Sequence, residues 1–125
     1  MPEAVVDASA LAAVTFGEAQ GAAVRARLSG ATLAAPPLIW FELANVCLTK
    51  IRRDPDEADR LLQAFRDASR LALELQPVDL EAVIGLARET GLTAYDASYL
   101  WLSRHLSAEL VTLDGELQAA AQTPS

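Results

Sequence analysis

Four acidic residues stand in or beside apolar segments of this chain. Asp7 follows Ala4-Val5-Val6, and Glu42 interrupts Leu38-Ile39-Trp40-Phe41 before Leu43-Ala44. Asp96 sits in Ala94-Tyr95-Asp96-Ala97, and Asp114 closes Leu110-Val111-Thr112-Leu113. Carboxylates are rarely buried unless they are paired or bind something. Four in such settings predict one convergent acidic site. Two unit charges ~4 Å apart at an effective dielectric of ~20 repel by ~4 kcal/mol. Several such pairs burden a domain of marginal stability. The acids must then titrate above their usual range or be neutralised by a divalent cation. Oxygen donors without nearby His or Cys select Mg²⁺ or Mn²⁺ over zinc. Such ions keep waters, activate one as a nucleophile and stabilise the leaving oxygen of a phosphodiester. Ser9 and Thr112 lie two residues from Asp7 and Asp114, and Asn45 lies one turn after Glu42. Their polar groups could orient the carboxylates.

Each acid has a plainer role open to it. Asp7 could be a helix N-cap, Asp96 a capping-box residue and Asp114 the start of a helix. Glu42 has no such task, because an acid within Ile-Trp-Phe-Glu-Leu caps nothing. The set carries the argument, not any member. Other chemistries are thin. His105 is the only histidine, no Ser or Cys elbow accompanies it, and it fits a helix C-terminus favoured by the dipole. There is no glycine-rich phosphate loop and no Cys/His zinc spacing. Trp40, Phe41, Tyr95 and Trp101 fit core or interface packing better than base stacking. Arg60, Arg66 and Arg70 alternate with Asp56, Asp59 and Asp67, as on a solvated helix face. Arg25, Arg27, Arg52, Arg53, Arg88 and Arg104 are candidates for phosphate contact or for ordinary solvation.

The 125 residues suit one domain, 1–125, with one core. At 52% hydrophobic and 22% charged the chain is globular. No apolar run has transmembrane length and no signal peptide opens the sequence. Cys47 is the only cysteine, so no intrachain disulfide can form. That fits a reducing cytoplasm, with Cys47 as a small buried hydrophobe. The net charge of −7 argues against an extended nucleic-acid-binding surface, but four of the seventeen acids are those already named. A bound cation would offset part of their field, so net charge leaves the substrate open.

The elements that must position these acids alternate. Strands are predicted over Ala4–Val6, Ala31–Ala35, Leu71–Leu75 and Glu109–Thr112. Helices are predicted from Asp7-Ala8-Ser9, over Gly17–Leu28, Leu38–Arg53 and Asp56–Arg70, from Asp79 to Thr90, from Thr93 to about His105, and after Asp114. Pro36-Pro37 suits a first helical turn, and Gly91 a C-terminal stop. In the helix from Asp56, Leu61, Leu62, Phe65 and Ala68 form the inner side. The helix from Leu38 is apolar nearly all round until Leu48, which predicts burial on most sides, in part against a second chain. The alternation implies an α/β fold with about four parallel strands and helices on both faces. Ligands in such sheets bind beyond the carboxyl ends of the strands, at a switch point. All four acids can reach that edge.

Four segments, in this order, resemble PIN-domain ribonucleases. They are Val5-Val6-Asp7-Ala8-Ser9, Phe41-Glu42-Leu43-Ala44-Asn45, Leu92-Thr93-Ala94-Tyr95-Asp96-Ala97-Ser98-Tyr99-Leu100 and Leu110-Val111-Thr112-Leu113-Asp114. The likeness is greatest to VapC-type toxins of bacterial toxin–antitoxin pairs, and it spans Val5 to about Leu117. It implies a three-layer α/β/α domain and a Mg²⁺- or Mn²⁺-dependent endoribonuclease of the cytoplasm. It puts Asp7, Glu42, Asp96 and Asp114 on the family's catalytic, metal-binding acidic positions, and Ser9 and Thr112 on its usual hydroxyl positions. It also implies a homodimer and a cognate VapB-type antitoxin whose tail covers the acidic site. One departure is visible. Relatives often continue past the last helix into a further short strand, whereas Glu116-Leu117-Gln118 here run into Ala119-Ala120-Ala121 and a short tail. Two other classes stay open: a non-catalytic PIN-like module that binds RNA or protein, and a receiver-like phosphoacceptor domain. The first usually loses one or more of the acids. The second wants a lysine after a late strand, and the only lysine is Lys50.

Overall fold

The computed structural model describes residues 3–123. Its strands β1 (Glu3–Val6), β2 (Thr32–Ala35), β3 (Leu73–Leu75) and β4 (Glu109–Val111) form one sheet in the order β3-β2-β1-β4. Every neighbouring pair is parallel, with Val5 opposite Ala34 and Leu110. The expected α/β class with four parallel strands is what is found. Ala4, Val5 and Val6 of the central β1 are at most 3% exposed. A strand covered on both faces requires such an unbroken apolar run.

The helices are α1 (Ala8–Thr15), α2 (Gly21–Leu28), α3 (Ile39–Arg53), α4 (Ala58–Ala68), α5 (Leu80–Thr90), α6 (Ala94–His105) and α7 (Gly115–Gln122). From β1 the chain steps outward to β2 and then β3, before returning past β1 to β4. Right-handed crossovers therefore put α1 to α4 on one face and α5 and α6 on the other. The packing agrees: α1 lies against α2, α3 and α4, while α6 lies against α5, α7, β1 and β4. The reversal of direction falls between β1 and β4, so their carboxyl ends flank the switch point.

Several elements follow their predicted signals closely. The Asp79 carboxylate accepts from the Ala82 N–H at the start of α5, and Gly91 ends that helix at φ 77°. Thr93 caps α6 by accepting from the Asp96 N–H. Others differ. The helix expected from Gly17 begins only at Gly21. Gly17 is left-handed at φ 65°, and the Glu18 N–H closes a turn onto the Ala13 carbonyl. A Cβ on Gly21 would meet the Ala13 carbonyl oxygen at 2.5 Å. The start of α2 is thus pressed against the end of α1, and that approach overrides the helical preference of Ala19.

The helix expected from Asp56 starts as one turn of 3₁₀ helix, Pro55–Glu57, before α4. Leu61, Phe65 and Ala68 face inward as expected, but Leu62, 100° further round, is 39% exposed. Cys47 is buried and donates to the Leu61 carbonyl at 3.6 Å. His105 ends α6 and stacks on Trp101 with ring centroids 4.6 Å apart. Trp40 and Trp101 pack against the core, but Phe41 and Tyr95 are 81% and 65% exposed and lie outside it. Among the described residues no strand follows α7, so β4 remains an edge. Among the described residues no helix is long and apolar enough to cross a membrane.

Candidate active site

Asp7 is the first residue beyond β1, and its N–H still donates to the Val111 carbonyl of β4 at 3.2 Å. Its carboxylate caps α1 and is buried, at 4% exposure. Oδ1 accepts from Ser9 Oγ at 2.7 Å and from the Ala10 N–H at 3.0 Å. Oδ2 accepts from the Thr112 hydroxyl. The two hydroxyls are themselves held. Ser9 Oγ accepts from the Leu113 N–H at 2.9 Å, Thr112 Oγ1 accepts from the Asp114 N–H at 3.0 Å, and the two oxygens lie 3.4 Å apart. This network ties the β1–α1 corner to the β4–α7 corner across the switch point. It fixes the Asp7 carboxylate in one orientation.

Asp114 caps α7, with Oδ1 accepting from the Leu117 N–H at 2.9 Å. Asp7 and Asp114 therefore do fill the plainer capping roles, in addition to standing at the sheet edge. Asp96 lies half-buried in the first turn of α6, where its N–H is bound to Thr93 Oγ1 at 3.1 Å. Glu42 lies half-buried in the first turn of α3 and accepts from the Tyr99 hydroxyl at 2.5 Å. Carboxylates near a helix N-terminus are favoured by the dipole, so each acid sits where its own helix tolerates charge.

The acids sense one another. Burial pushes the Asp7 carboxyl above its ordinary value, against three hydrogen bonds that lower it, and the charge of Asp114 adds to the rise. Glu42 is raised by burial and by the charges of Asp96 and Asp7, opposed by its bond from Tyr99. Asp96 is raised by burial, then by Asp114, Asp7 and Glu116. The four sequence-selected acids thus share one electrostatic neighbourhood. Glu116, in the first turn of α7, is a fifth acid within it that the sequence reading did not single out. Tyr99 was also missed. Asn45 is exposed, and the hydrogen bond to Glu42 comes from Tyr99 rather than from Asn45, whose carbonyl accepts from Thr49. A helix neighbour one turn away was the wrong place to look, because Glu42 points toward α6.

Among the described residues, no three His, Cys, Asp or Glu side chains stand close enough to hold one ion between them. The donors are oxygens alone, and their mutual repulsion favours a counter-charge. That combination fits a hard cation held directly by one or two carboxylates and keeping several waters, as Mg²⁺ commonly does.

Residues 4–122 match the model of the PIN domain family. The chain is 33% identical to Ribonuclease VapC3 of Pyrobaculum aerophilum over 118 residues, which cover 90% of each protein. It is also 33% identical to Ribonuclease VapC9 of Mycobacterium tuberculosis over 126 residues, covering 94% of this chain and 91% of the relative. The crystal structure of PAE2754 from Pyrobaculum aerophilum superposes with a TM-score of 0.77 at 28% identity, over 97% of this chain and 87% of that one. The M. tuberculosis toxin VapC20, described as cleaving the sarcin-ricin loop, superposes at 0.67 over 98% of this chain and 100% of its own. At 16% identity that match speaks for the fold alone. With its switch-point acids on a four-stranded parallel sheet and relatives of this kind along nearly its whole length, the chain belongs to the PIN-domain family, beside the VapC ribonucleases.

Proposed function

We propose that this protein is a Mg²⁺- or Mn²⁺-dependent endoribonuclease, the toxin of a toxin–antitoxin pair acting in the cytoplasm. The observation that carries the reading is that Asp7, Glu42, Asp96 and Asp114, from four separate elements, converge at the switch point, where the charge of Asp114 reaches Asp7 and Asp96 and those of Asp96 and Asp7 reach Glu42. The names of the VapC relatives supply the substrate class. Asp7, Glu42, Asp96 and Asp114 would hold the ion between them, one or two directly and the others through its waters. A divalent ion there supplies a nucleophilic water and offsets charge on the phosphodiester. The chain's own residues do the rest. Ser9, Thr112 and the Ala10 N–H hold Asp7 ready before substrate arrives. A carboxylate of this set that meets the ion through a water would be placed to accept a proton from that water.

The test is growth and cleavage together. Expression of the wild type should arrest growth and shorten cellular RNA, and coexpression of its antitoxin should restore growth. Asp96→Ala at equal protein level should be harmless. Equal toxicity of the two would mean that the harm does not come from this site, and the nuclease reading would fall.

The same reading includes a homodimer. Phe41, Leu48 and Leu62 are exposed on α3 and α4, and a groove of about 190 Å³ between these helices is lined by Ala44, Cys47, Leu48, Ile51, Leu62 and Phe65. Light scattering at micromolar concentration should give twice the chain mass; a monomer refutes the dimer. The antitoxin would place an arginine or lysine among the acids as a charge-assisted anchor. Its aromatic or aliphatic residues would cover the apolar surface around Trp40 and the exposed Phe41.

A further inference from the structure

Tyr99 is the largest fully buried side chain, 1% exposed, yet its hydroxyl reaches Glu42 Oε1. The two residues are 57 apart in sequence and lie on different helices. A phenyl ring would fill the same core space without an oxygen that needs a partner. The hydroxyl's task is therefore at Glu42. Asp96 and Tyr99 are three residues apart on α6 and so share one face of that helix. One face of α6 brings an acid to the sheet edge and also grips the acid contributed by α3.

The need for a grip is physical. A glutamate side chain gives up rotamer freedom when it is fixed. Asp7 is held by two hydroxyls and a backbone N–H. Glu42 is longer and, among the described residues, takes a side-chain bond from Tyr99 alone. We propose that Tyr99 is a positioning residue, whose buried hydroxyl fixes the Glu42 carboxylate in the orientation that receives the divalent ion. Without it Glu42 samples several rotamers, and ion binding must bear the cost of ordering it. The inference rests on Glu42 being a ligand of that ion.

The test is Mn²⁺ binding without RNA, measured by the paramagnetic signal of free Mn²⁺. Four proteins are compared: wild type, Tyr99→Phe, Glu42→Gln and the double variant. Thermal unfolding of each is recorded in EDTA. Tyr99→Phe should raise the Mn²⁺ Kd roughly tenfold, as loss of a ligand's orienting partner commonly does. Its metal-free melting temperature should stay close to the wild type's. In the Glu42→Gln background the same change should matter less than about twofold, because the hydroxyl acts only through Glu42. An unchanged Kd for Tyr99→Phe overturns the inference, and so does an equal loss in both backgrounds. A steep drop in its metal-free melting temperature overturns it too, since the hydroxyl would then be a support of the core. If Glu42→Gln itself leaves the Kd unchanged, Glu42 is no ligand and the wider assignment of the site fails. If Glu42→Gln weakens binding and Tyr99→Phe does not, only the role of Tyr99 fails.

Discussion

Asp7→Asn is expected to reduce RNA cleavage by at least ~10²-fold while leaving the fold intact. The size follows from comparison with orienting partners, whose loss alone costs 10–100-fold in metal affinity or activity. A charged ligand at the centre of the site must cost no less. The structural side is equally specific. Asn is as good an N-cap as Asp, so its side-chain oxygen can keep the bonds from Ser9 and the Ala10 N–H. Its amide then faces Thr112, whose hydroxyl can turn and accept. The variant also loses a buried charge that is costly where it stands. Its metal-free stability should therefore equal or exceed that of the wild type. Cleavage of a labelled RNA in Mg²⁺ or Mn²⁺, alongside melting curves in EDTA, checks both halves. Wild-type cleavage by Asp7→Asn would remove Asp7 from the site. Lost cleavage with lost folding would reduce Asp7 to the cap of α1.

The contrast between Asp7 and Glu42 shows what a sequence can carry. Asp7 is braced by neighbours in sequence, Ser9 and Ala10, and by a strand that the pairing rules bring alongside. Its surroundings could be anticipated from connection order. The same holds for Asp114, for Asp79 and Gly91 around α5, and for the sheet as a whole, because each depends on local signals or the hand of a crossover. Glu42 is different. Its partner, Tyr99, comes from the opposite layer, and nothing in either segment encodes that distance. Glu116 was passed over for a related reason, since a second acid just after a capping aspartate looks like ordinary first-turn charge. The one signal available was that α7 starts at the switch point, which puts its whole first turn near the site. Hydrophobicity alone places Phe41 and Tyr95 in a core or an interface without choosing between them, and only the rotation of α3 and α6 reveals that both lie outside the core. The break before Gly21 depends on how closely α2 meets α1, a contact that Ala-rich composition conceals.

Removing the divalent ion should make the protein's stability fall as pH rises toward neutrality. Asp7, Glu42 and Asp96 all have carboxyls raised in the folded state, with burial the first cause in each. The folded chain therefore holds these protons more tightly than the unfolded chain does. Their contribution to stability is fully present below the ordinary carboxylate range of ~3.9–4.3. It is lost as pH climbs through the raised folded values. In EDTA the melting temperature should rise on acidification from neutral pH through the raised folded values and then turn over. The turnover comes from the growing positive charge of the chain at low pH, which repels itself in the compact state. A bound ion should reverse the neutral-pH weakness. At a hundredfold excess over its Kd it adds ~2.7 kcal/mol. For a domain of this size, at roughly 3–5 °C per kcal/mol, that is a rise of about 10 °C. Asp7→Asn should flatten the EDTA profile, because one of the three raised acids is gone, and it should shrink the response to Mg²⁺. A metal-free melting temperature that climbs steadily toward neutral pH, with no response to Mg²⁺ or Mn²⁺, would show that the charged carboxylates already stabilise the fold, and the acidic edge would then have no need of a cation.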